Sequence, residues 1–396
     1  MKEVVIAGYL RSAQSRSNPK NPDKDVFGTM RADEILARVV DNLLEKTGTD
    51  SRELDDFIVG SAMGVTEQWT FGGRTPLFLA NISRDVPAKF IDQQCGSGMA
   101  ALQTGFMEIA TGFADTVLAT GMEHMTRVPM GPSLFDQGVL KLHPDLSTLE
   151  KYRHWELATT MNMGLTAEKL FDQTDITREE MDQWSVRSHQ LAWQAIQQGF
   201  FDGEIVPITP ARGDKPITRD MNVRENASLE TMGGLKPVFK KNGVITPGNA
   251  SPLNAGAGAM LLMSREAAEK KGITPLATIR SIGFAGVDPT IMGQGPVPAT
   301  EMALEKAGLQ ASDIDFWEIN EAFAIVALNC IQHFTIDPDR VNIKGGGIAL
   351  GHALGATGIR IAGTLARILE QENGRLGCAN ACIGGGQGTA VIIERP

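Results

Sequence analysis

A chain of 396 residues, 42% hydrophobic and 21% charged, has the composition of a globular enzyme and exceeds the roughly 250–300 residues at which a single core stops growing. Its formal charge of −10 argues against a nucleic-acid partner, and no apolar run reaches the about 18 residues of a membrane span. The 43 glycines have no repeat period, which excludes a collagen-like or low-complexity chain; they cluster around Cys95 and near the C-terminus.

In chain order, Val4–Gly8 reads as a first strand and is too short for a signal-peptide core. Ala32–Lys46 is an amphipathic helix with Ile35, Val39, Leu43 and Leu44 on one face. Phe57–Val59 is a short strand, Gly98–Thr111 a helix and Thr116–Ala119 a strand. Thr300–Ala307, Phe316–Ile319, Ala356–Leu369 and Ala390–Ile393 repeat the alternation, which indicates α/β layers. An internal repeat is visible at an offset of 260: Leu44/Leu304, Glu45/Glu305, Lys46/Lys306, Gly48/Gly308, Asp55/Asp315 and Ala62/Ala322 are identical. Two similar halves about a pseudo-twofold axis are expected. Residues 125–250 match neither half and read as a large inserted lid. The division expected is 1–124 for the N-terminal half, completed by about 251–275, 125–250 for the insert, and 276–396 for the C-terminal half.

The four cysteines, Cys95, Cys330, Cys378 and Cys382, form no CxxC and no zinc spacing, so free thiols in a reducing cytoplasm are expected. Cys95 lies between a strand and a helix in Gln93-Gln94-Cys95-Gly96-Ser97-Gly98, and the helix N-terminus there favours a thiolate. The bland reading is a buried cysteine in a turn. His352 follows the glycine-rich run Gly345-Gly346-Gly347. Gly98 and Gly355 each fall three residues after Cys95 and His352, so facing halves bring the two together as a Cys–His pair. Cys382 precedes Gly384-Gly385-Gly386, whose N–H groups suit an oxyanion. Asn320-Glu321-Ala322-Phe323 follows a strand; Asn320 can hold a water, and Glu321 can orient a histidine.

Gln94-Cys95-Gly96-Ser97-Gly98, Asn320-Glu321-Ala322-Phe323, Gly351-His352 and Cys382-Ile383-Gly384-Gly385-Gly386 resemble the four signature motifs of thiolases. The similarity runs over essentially the whole chain and is nearest to the 3-ketoacyl-CoA thiolase subunit of bacterial fatty-acid β-oxidation. The resemblance implies a duplicated, five-layered αβαβα fold with an inserted loop domain. It also implies an acyltransferase that thiolyses 3-ketoacyl-CoA with coenzyme A and needs no metal; a short-chain acetoacetyl-CoA thiolase is the alternative. By the same resemblance Cys95 is acylated, His352 takes its proton, and Cys382 moves a proton at the α-carbon. Asn320 holds a water in one oxyanion hole, and the N–H groups of Cys95 and Gly384 form the other. Ser251 contacts pantetheine, Arg224 lies at the adenine end, and Met163, Leu235 and Phe323 complete the CoA-binding set. Segment 212–241 carries seven Lys/Arg against four Asp/Glu, which suits the CoA phosphates. A homodimer or homotetramer is implied, with a possible β-oxidation partner subunit. Two departures from the family pattern are Asn162, where short-chain members have His, and Ala353, where many have Pro. A decarboxylating ketoacyl synthase would have no place for Cys382, and a non-catalytic lipid carrier would lack Cys95 or His352.

Overall fold

The computed structural model describes residues 1–129, 138, 140–210 and 213–396. Its frame consists of β1 (Val4–Ser12), α1 (Ala32–Thr47), β2 (Asp56–Gly60), β3 (Ala88–Ile91), α2 (Ser97–Thr111) and β4 (Thr116–His124). These are followed by α3 (Met163–Phe171), α4 (Arg178–Gln197), β5 (Asn254–Ser264), β6 (Ala277–Gly286), α5 (Pro296–Ala307) and β7 (Phe316–Ile319). The chain closes with α6 (Ala324–Phe334), α7 (Leu354–Gln371), β8 (Leu376–Ile383) and β9 (Gln387–Glu394). The expected elements are all present, most of them longer by a few residues.

The strand order is β3-β2-β4-β5-β1-β6-β9-β8-β7. β2 and β4 run parallel and β4 pairs antiparallel with β5; likewise β7 and β8 run parallel and β8 pairs antiparallel with β9. The halves join where β1 meets β6, through only the pairs Val5↔Thr278 and Ile6↔Ala277. The offset of 260 persists in detail. α1 and α5 end on the left-handed glycines Gly48 (φ 61°) and Gly308 (φ 67°). Asp55 Oδ2 accepts from the N–H groups of Asp115 and Thr116 at 2.7 and 3.0 Å, and Asp315 Oδ2 does the same for Arg375 and Leu376 at 2.7 and 2.9 Å.

Three hydrophobic clusters separate five layers. Val39, Leu43, Phe57 and Leu118 pack α1 on the first half-sheet. Met99, Leu102, Ile359, Leu365, Ala379 and Val391 bury α2 and α7 between the half-sheets. Leu304, Trp317, Ile325 and Ile392 pack α5 and α6 on the second. α2 and α7 touch through backbone: a Cβ on Gly98 would lie 2.5 Å from Gly355 O, and one on Gly358 2.2 Å from Met99 N. Only glycine permits that approach, and it brings two helix N-termini to one point.

Segment 125–250 is fastened to both halves. Arg11 on β1 donates to Glu204 and to both Asp220 oxygens at 2.6–2.8 Å. On the other side α4, opened by a Thr177–Glu180 capping box, donates to Glu321. Among the described residues, no helix is long and apolar enough to cross a membrane.

Candidate active site

Cys95 sits in a tight turn, Gln94–Gly96, directly before α2. Gln94 holds φ at 49°, a left-handed conformation unusual outside glycine, and so turns the chain sharply from strand to helix. Gly96 must be small, because a Cβ there would lie 2.3 Å from Ile383 Cδ1. The thiol is 9% exposed and packs with Ala62, Met125 and Leu354. The Gly384 N–H points at its sulfur. Burial nevertheless pushes the Cys95 thiol up to about 11, with Glu123 adding to the rise. The helix terminus therefore does not create a resting thiolate, contrary to the expectation from its dipole; desolvation of the charged form outweighs it.

His352 sits at the turn into α7, held by two side-chain amides. Its N–H donates to Asn254 Oδ1 at 2.7 Å, and the Ala353 N–H donates to Gln14 Oε1 at 3.1 Å. A proline at 353 would lose the second bond, so the departure at Ala353 is put to use. The imidazole tautomer follows from the network. The Thr357 hydroxyl gives its only proton to Ala353 O at 2.9 Å, so at 2.7 Å it accepts from His352 Nδ1–H. Nε2 then carries the lone pair, 3.4 Å from Asn320 Nδ2. Burial and Arg360 push the imidazole down to about 3, so it is neutral. The geometry supplies a proton acceptor oriented as one.

Cys382, next to last in β8, is fully buried, and its proximity to the Cys95 sulfur adds to the burial that pushes its own thiol up. Gly384 follows, then Gly385 (φ 83°) and Gly386 (φ 80°), a turn that needs glycine and leaves the Gly384 N–H facing Cys95. Asn320 belongs to the same corner, its N–H donating to Asn380 O of β8 at 2.9 Å. Cys95, Cys382 and the Gly384 N–H are thus gathered at one corner, with Asn320 joining it to the neutral His352.

Residues 13–266 match the thiolase N-terminal domain and 273–395 the thiolase C-terminal domain. The chain belongs to the thiolase family. It is 41% identical to the 3-ketoacyl-CoA thiolase of Marinobacter nauticus over 402 residues, covering 100% of this chain and 98% of that one. It is 39% identical to a probable acetyl-CoA acyltransferase of Staphylococcus aureus, covering 100% of both. Human mitochondrial 3-ketoacyl-CoA thiolase superposes with a TM-score of 0.88 at 33% identity, covering 100% of this chain and 99% of that one. Bacillus anthracis acetyl-CoA acetyltransferase superposes with a TM-score of 0.87 at 36% identity and the same coverage. Like those proteins this thiolase is an acyltransferase.

The residues expected along CoA spread over the insert and its border. Met163 is nearest the chemistry: a Cβ on Gly384 would lie 3.5 Å from its sulfur. Asn162 spends its side-chain oxygen capping α3, accepting from Gly164 and Leu165 N–H at 3.1 and 3.3 Å. Phe323 packs edge-on against Phe239 at 6.2 Å. Leu235 borders Gly248, and the Ser251 N–H donates to Ala322 O at 2.9 Å. Arg224 is exposed, and its N–H donates to His189 Nδ1 at 3.2 Å. Arg212, first of the basic segment, lies outside the described residues.

Two carboxylates take roles the sequence reading missed. Glu321 does not touch His352: it accepts from Trp184 Nε1 (2.9 Å), Ser188 Oγ (2.7 Å), Asn342 Nδ2 (2.8 Å) and Ile348 N (3.1 Å), locking α4 to the turn before His352. Glu123 accepts from Ala62 N (2.8 Å), Gln68 Nε2 (2.6 Å) and, across the halves, Gly355 N (3.1 Å). It ties the strand layer beside Cys95 to the helix that follows His352. Its partners Ala62, Gln68 and Gly355 are too distant in sequence to infer.

Proposed function

We propose that this thiolase cleaves 3-ketoacyl-CoA with coenzyme A, giving acetyl-CoA and a shortened acyl-CoA, and runs the reverse condensation through the same intermediate. The observation that carries this reading is the unprotonated Nε2 of His352, accepting from Asn320 Nδ2 at 3.4 Å, in the corner where the Gly384 N–H faces Cys95 and Cys382 lies close by. As Cys95 Sγ attacks the keto carbon, its proton passes to His352 Nε2. Negative charge moves to the keto oxygen, held by the N–H groups of Cys95 and Gly384. The bond between α-carbon and keto carbon then breaks, and the leaving α-carbon takes the Cys382 proton to become the acetyl methyl. A water on Asn320, with His352, steadies the thioester oxygen. The CoA thiol next attacks acyl-Cys95 and gives its proton to the Cys382 thiolate; Cys95 recovers its own proton from His352. Proton transfer concerted with attack avoids a buried thiolate–imidazolium pair, which the two shifts make costly.

Ser251, Met163, Leu235 and Phe323 are assigned to the pantetheine path and Arg224 to the adenine end, with 125–250 as the insert that carries most of them. A cavity of about 590 Å³ in that insert is lined by Leu142, Leu146, Leu149, Leu157 and Met161, and Met161 is two residues from Met163. Ser147, Thr148, Tyr152 and Arg153 also line it, and we assign its apolar side to acyl tails longer than that of acetoacetyl-CoA. Trp69, Phe71, Phe78 and Leu79 are 48–64% exposed near the half-buried edge strand β3, which supports a dimer through that edge. Four buried free thiols fit a cytoplasmic setting. Mass spectrometry after mixing with acetyl-CoA tests the reading: one acetyl group should appear on Cys95. Its absence, or thiolysis rates that do not rise from C4 to longer 3-ketoacyl-CoA substrates, would count against the mechanism or the chain-length assignment respectively.

A further inference from the structure

Gly351-His352-Ala353 belong to no helix or strand, so no regular ladder fixes the turn that carries His352. Gly351 adopts φ 110°, which glycine takes readily, and a Cβ there would lie 2.7 Å from Gln14 Oε1 and 2.8 Å from Asn254 Nδ2. Two side-chain amides thus press against Gly351 and take the next two backbone donors. Asn254 Oδ1 accepts from His352 N–H at 2.7 Å, and Gln14 Oε1 accepts from Ala353 N–H at 3.1 Å. Both amides are anchored in one short segment. Asn254 Nδ2 donates to Ser15 O at 2.6 Å. Gln14 is 2% exposed, and the insert clamps its main chain: its N–H donates to Asp220 Oδ1 at 2.8 Å, and its carbonyl accepts from Met221 N–H at 2.9 Å. Asp220 is itself held by both terminal nitrogens of Arg11.

We propose that Gln14 is a positioning residue of this thiolase: its side-chain oxygen, by holding the Ala353 N–H, sets the main chain at His352 and so the place of the imidazole. The proposal rests on the reading of His352 as the base. Ala353 is fully buried, so an N–H that loses Gln14 is not hydrated in exchange. A buried donor without a partner is costly enough to turn the chain toward another acceptor. His352 is the adjoining residue, and a catalytic group displaced by about 1 Å loses much of its effect on the rate. Thr357 engages the ring at Nδ1 and the Ala353 carbonyl, neither of the two N–H groups. The contacts of Gln14 with Asp220 and Met221 use main-chain atoms that any residue at 14 possesses. A change of side chain there leaves the insert in place, and with it Arg224, so Gln14 acts on kcat and not on CoA affinity. Ala353 has φ −70°, where proline is fixed, so proline at 353 removes the donor without changing φ.

The test is a double-mutant cycle read by steady-state thiolysis of a 3-ketoacyl-CoA. Q14M removes the acceptor and keeps an unbranched side chain; kcat should fall about tenfold or more, with KM for CoA within about twofold of wild type. A353P removes the donor, sets its ring against Gln14 Oε1, and should lose kcat to a similar degree. Q14M/A353P has neither donor nor acceptor and should recover to within about threefold of wild type, whereas two independent losses would multiply to about a hundredfold. Where Q14M does not fold, A353P against Q14M/A353P makes the same comparison: methionine at 14 should then raise the rate. Exchange of the Ala353 amide hydrogen, read by mass spectrometry of a peptide that spans it, should be faster in Q14M than in wild type. Wild-type kcat in Q14M, a loss carried by KM for CoA, unchanged amide exchange, or losses that multiply in the double variant each overturn the proposal. Failure of acetyl-CoA to label wild-type Cys95 would instead sink the catalytic reading, which the amide exchange does not depend on.

Discussion

Thr357→Val is the most informative single change at this site. Valine keeps the shape of threonine and removes one hydroxyl, which accepts from His352 Nδ1–H at 2.7 Å and donates to Ala353 O at 2.9 Å. The second loss is small, since the Thr357 N–H also donates to Ala353 O, at 3.0 Å. The first leaves a buried N–H without a partner, at a cost of about 1–3 kcal/mol. The imidazole escapes by moving its proton to Nε2, which removes the base from the side facing Asn320. Restoring the active tautomer then adds that energy to the barrier, so kcat/KM for thiolysis should fall about 10- to 100-fold. KM for CoA should hardly move, because Thr357 is fully buried behind the imidazole. Thr357→Ser retains the hydroxyl and should keep most of the activity. Thiolysis of a 3-ketoacyl-CoA, with melting temperature as control, reads both variants. A T357V enzyme within twofold of wild type would refute the tautomer argument; equal losses in T357V and T357S would assign Thr357 to packing.

Cys382→Ala should slow thiolysis by about 10²–10⁴-fold yet spare exchange of labelled CoA into acetyl-CoA, which moves no proton at carbon; equal losses in both reactions would remove Cys382 from the proton path. His352→Ala should damage both reactions. Because the free thiol is pushed up to about 11, alkylation of wild-type Cys95 should climb with pH through the neutral range and show no plateau below about pH 10; a plateau near neutrality would mean a resting ion pair. Light scattering at micromolar concentration should give at least twice the 42.6 kDa chain mass, and a monomer would leave the exposed Trp69–Leu79 surface without its proposed partner.

What the sequence made legible was local or repeated. Helix faces such as Ile35, Val39 and Leu43 follow from period alone, and the offset of 260 carried the pseudo-twofold frame before any coordinate. Three glycine-bearing motifs located Cys95, His352 and Cys382, since turns of that sharpness need glycine at fixed positions, and the Asn320–Phe323 motif after a strand located Asn320. Signals that depend on burial were not legible. A helix N-terminus is worth about 0.3–1 kcal/mol to an anion, whereas the rise of Cys95 from 9.0 to about 11 corresponds to roughly 3 kcal/mol against the thiolate. Nothing in the Gln93–Gly98 segment measures that desolvation. Glu321 was plausible as the histidine's orienter because it adjoins Asn320, but its four partners come from three distant segments. The residue that fixes the imidazole, Thr357, was within reach: it lies in the first turn of the helix that follows His352.

The duplication also explains why the site is asymmetric. At the offset of 260, Asn320 corresponds to Gly60, Glu321 to Ser61 and Cys382 to Met122. The first half cannot carry a side chain at Gly60, because a Cβ there would lie 2.5 Å from Ser97 O, where the Cys95 turn crosses the strand end. That half therefore sets Cys95 on a bare backbone floor. In the second half the equivalent position has room for Asn320, whose amide reaches the imidazole. The helices that start beside these positions, α2 and α7, correspond at an offset of 257, and their equivalent glycines Gly98 and Gly355 are in contact. Residues related by a twofold axis touch each other only near that axis, so the axis passes close to the Gly98–Gly355 contact beside Cys95 and His352. A group three residues before either glycine is thereby delivered to the same place from opposite sides, cysteine from one half and histidine from the other. In the proposed mechanism neither half holds a complete site, and catalysis depends on the α2–α7 contact staying as close as glycine allows.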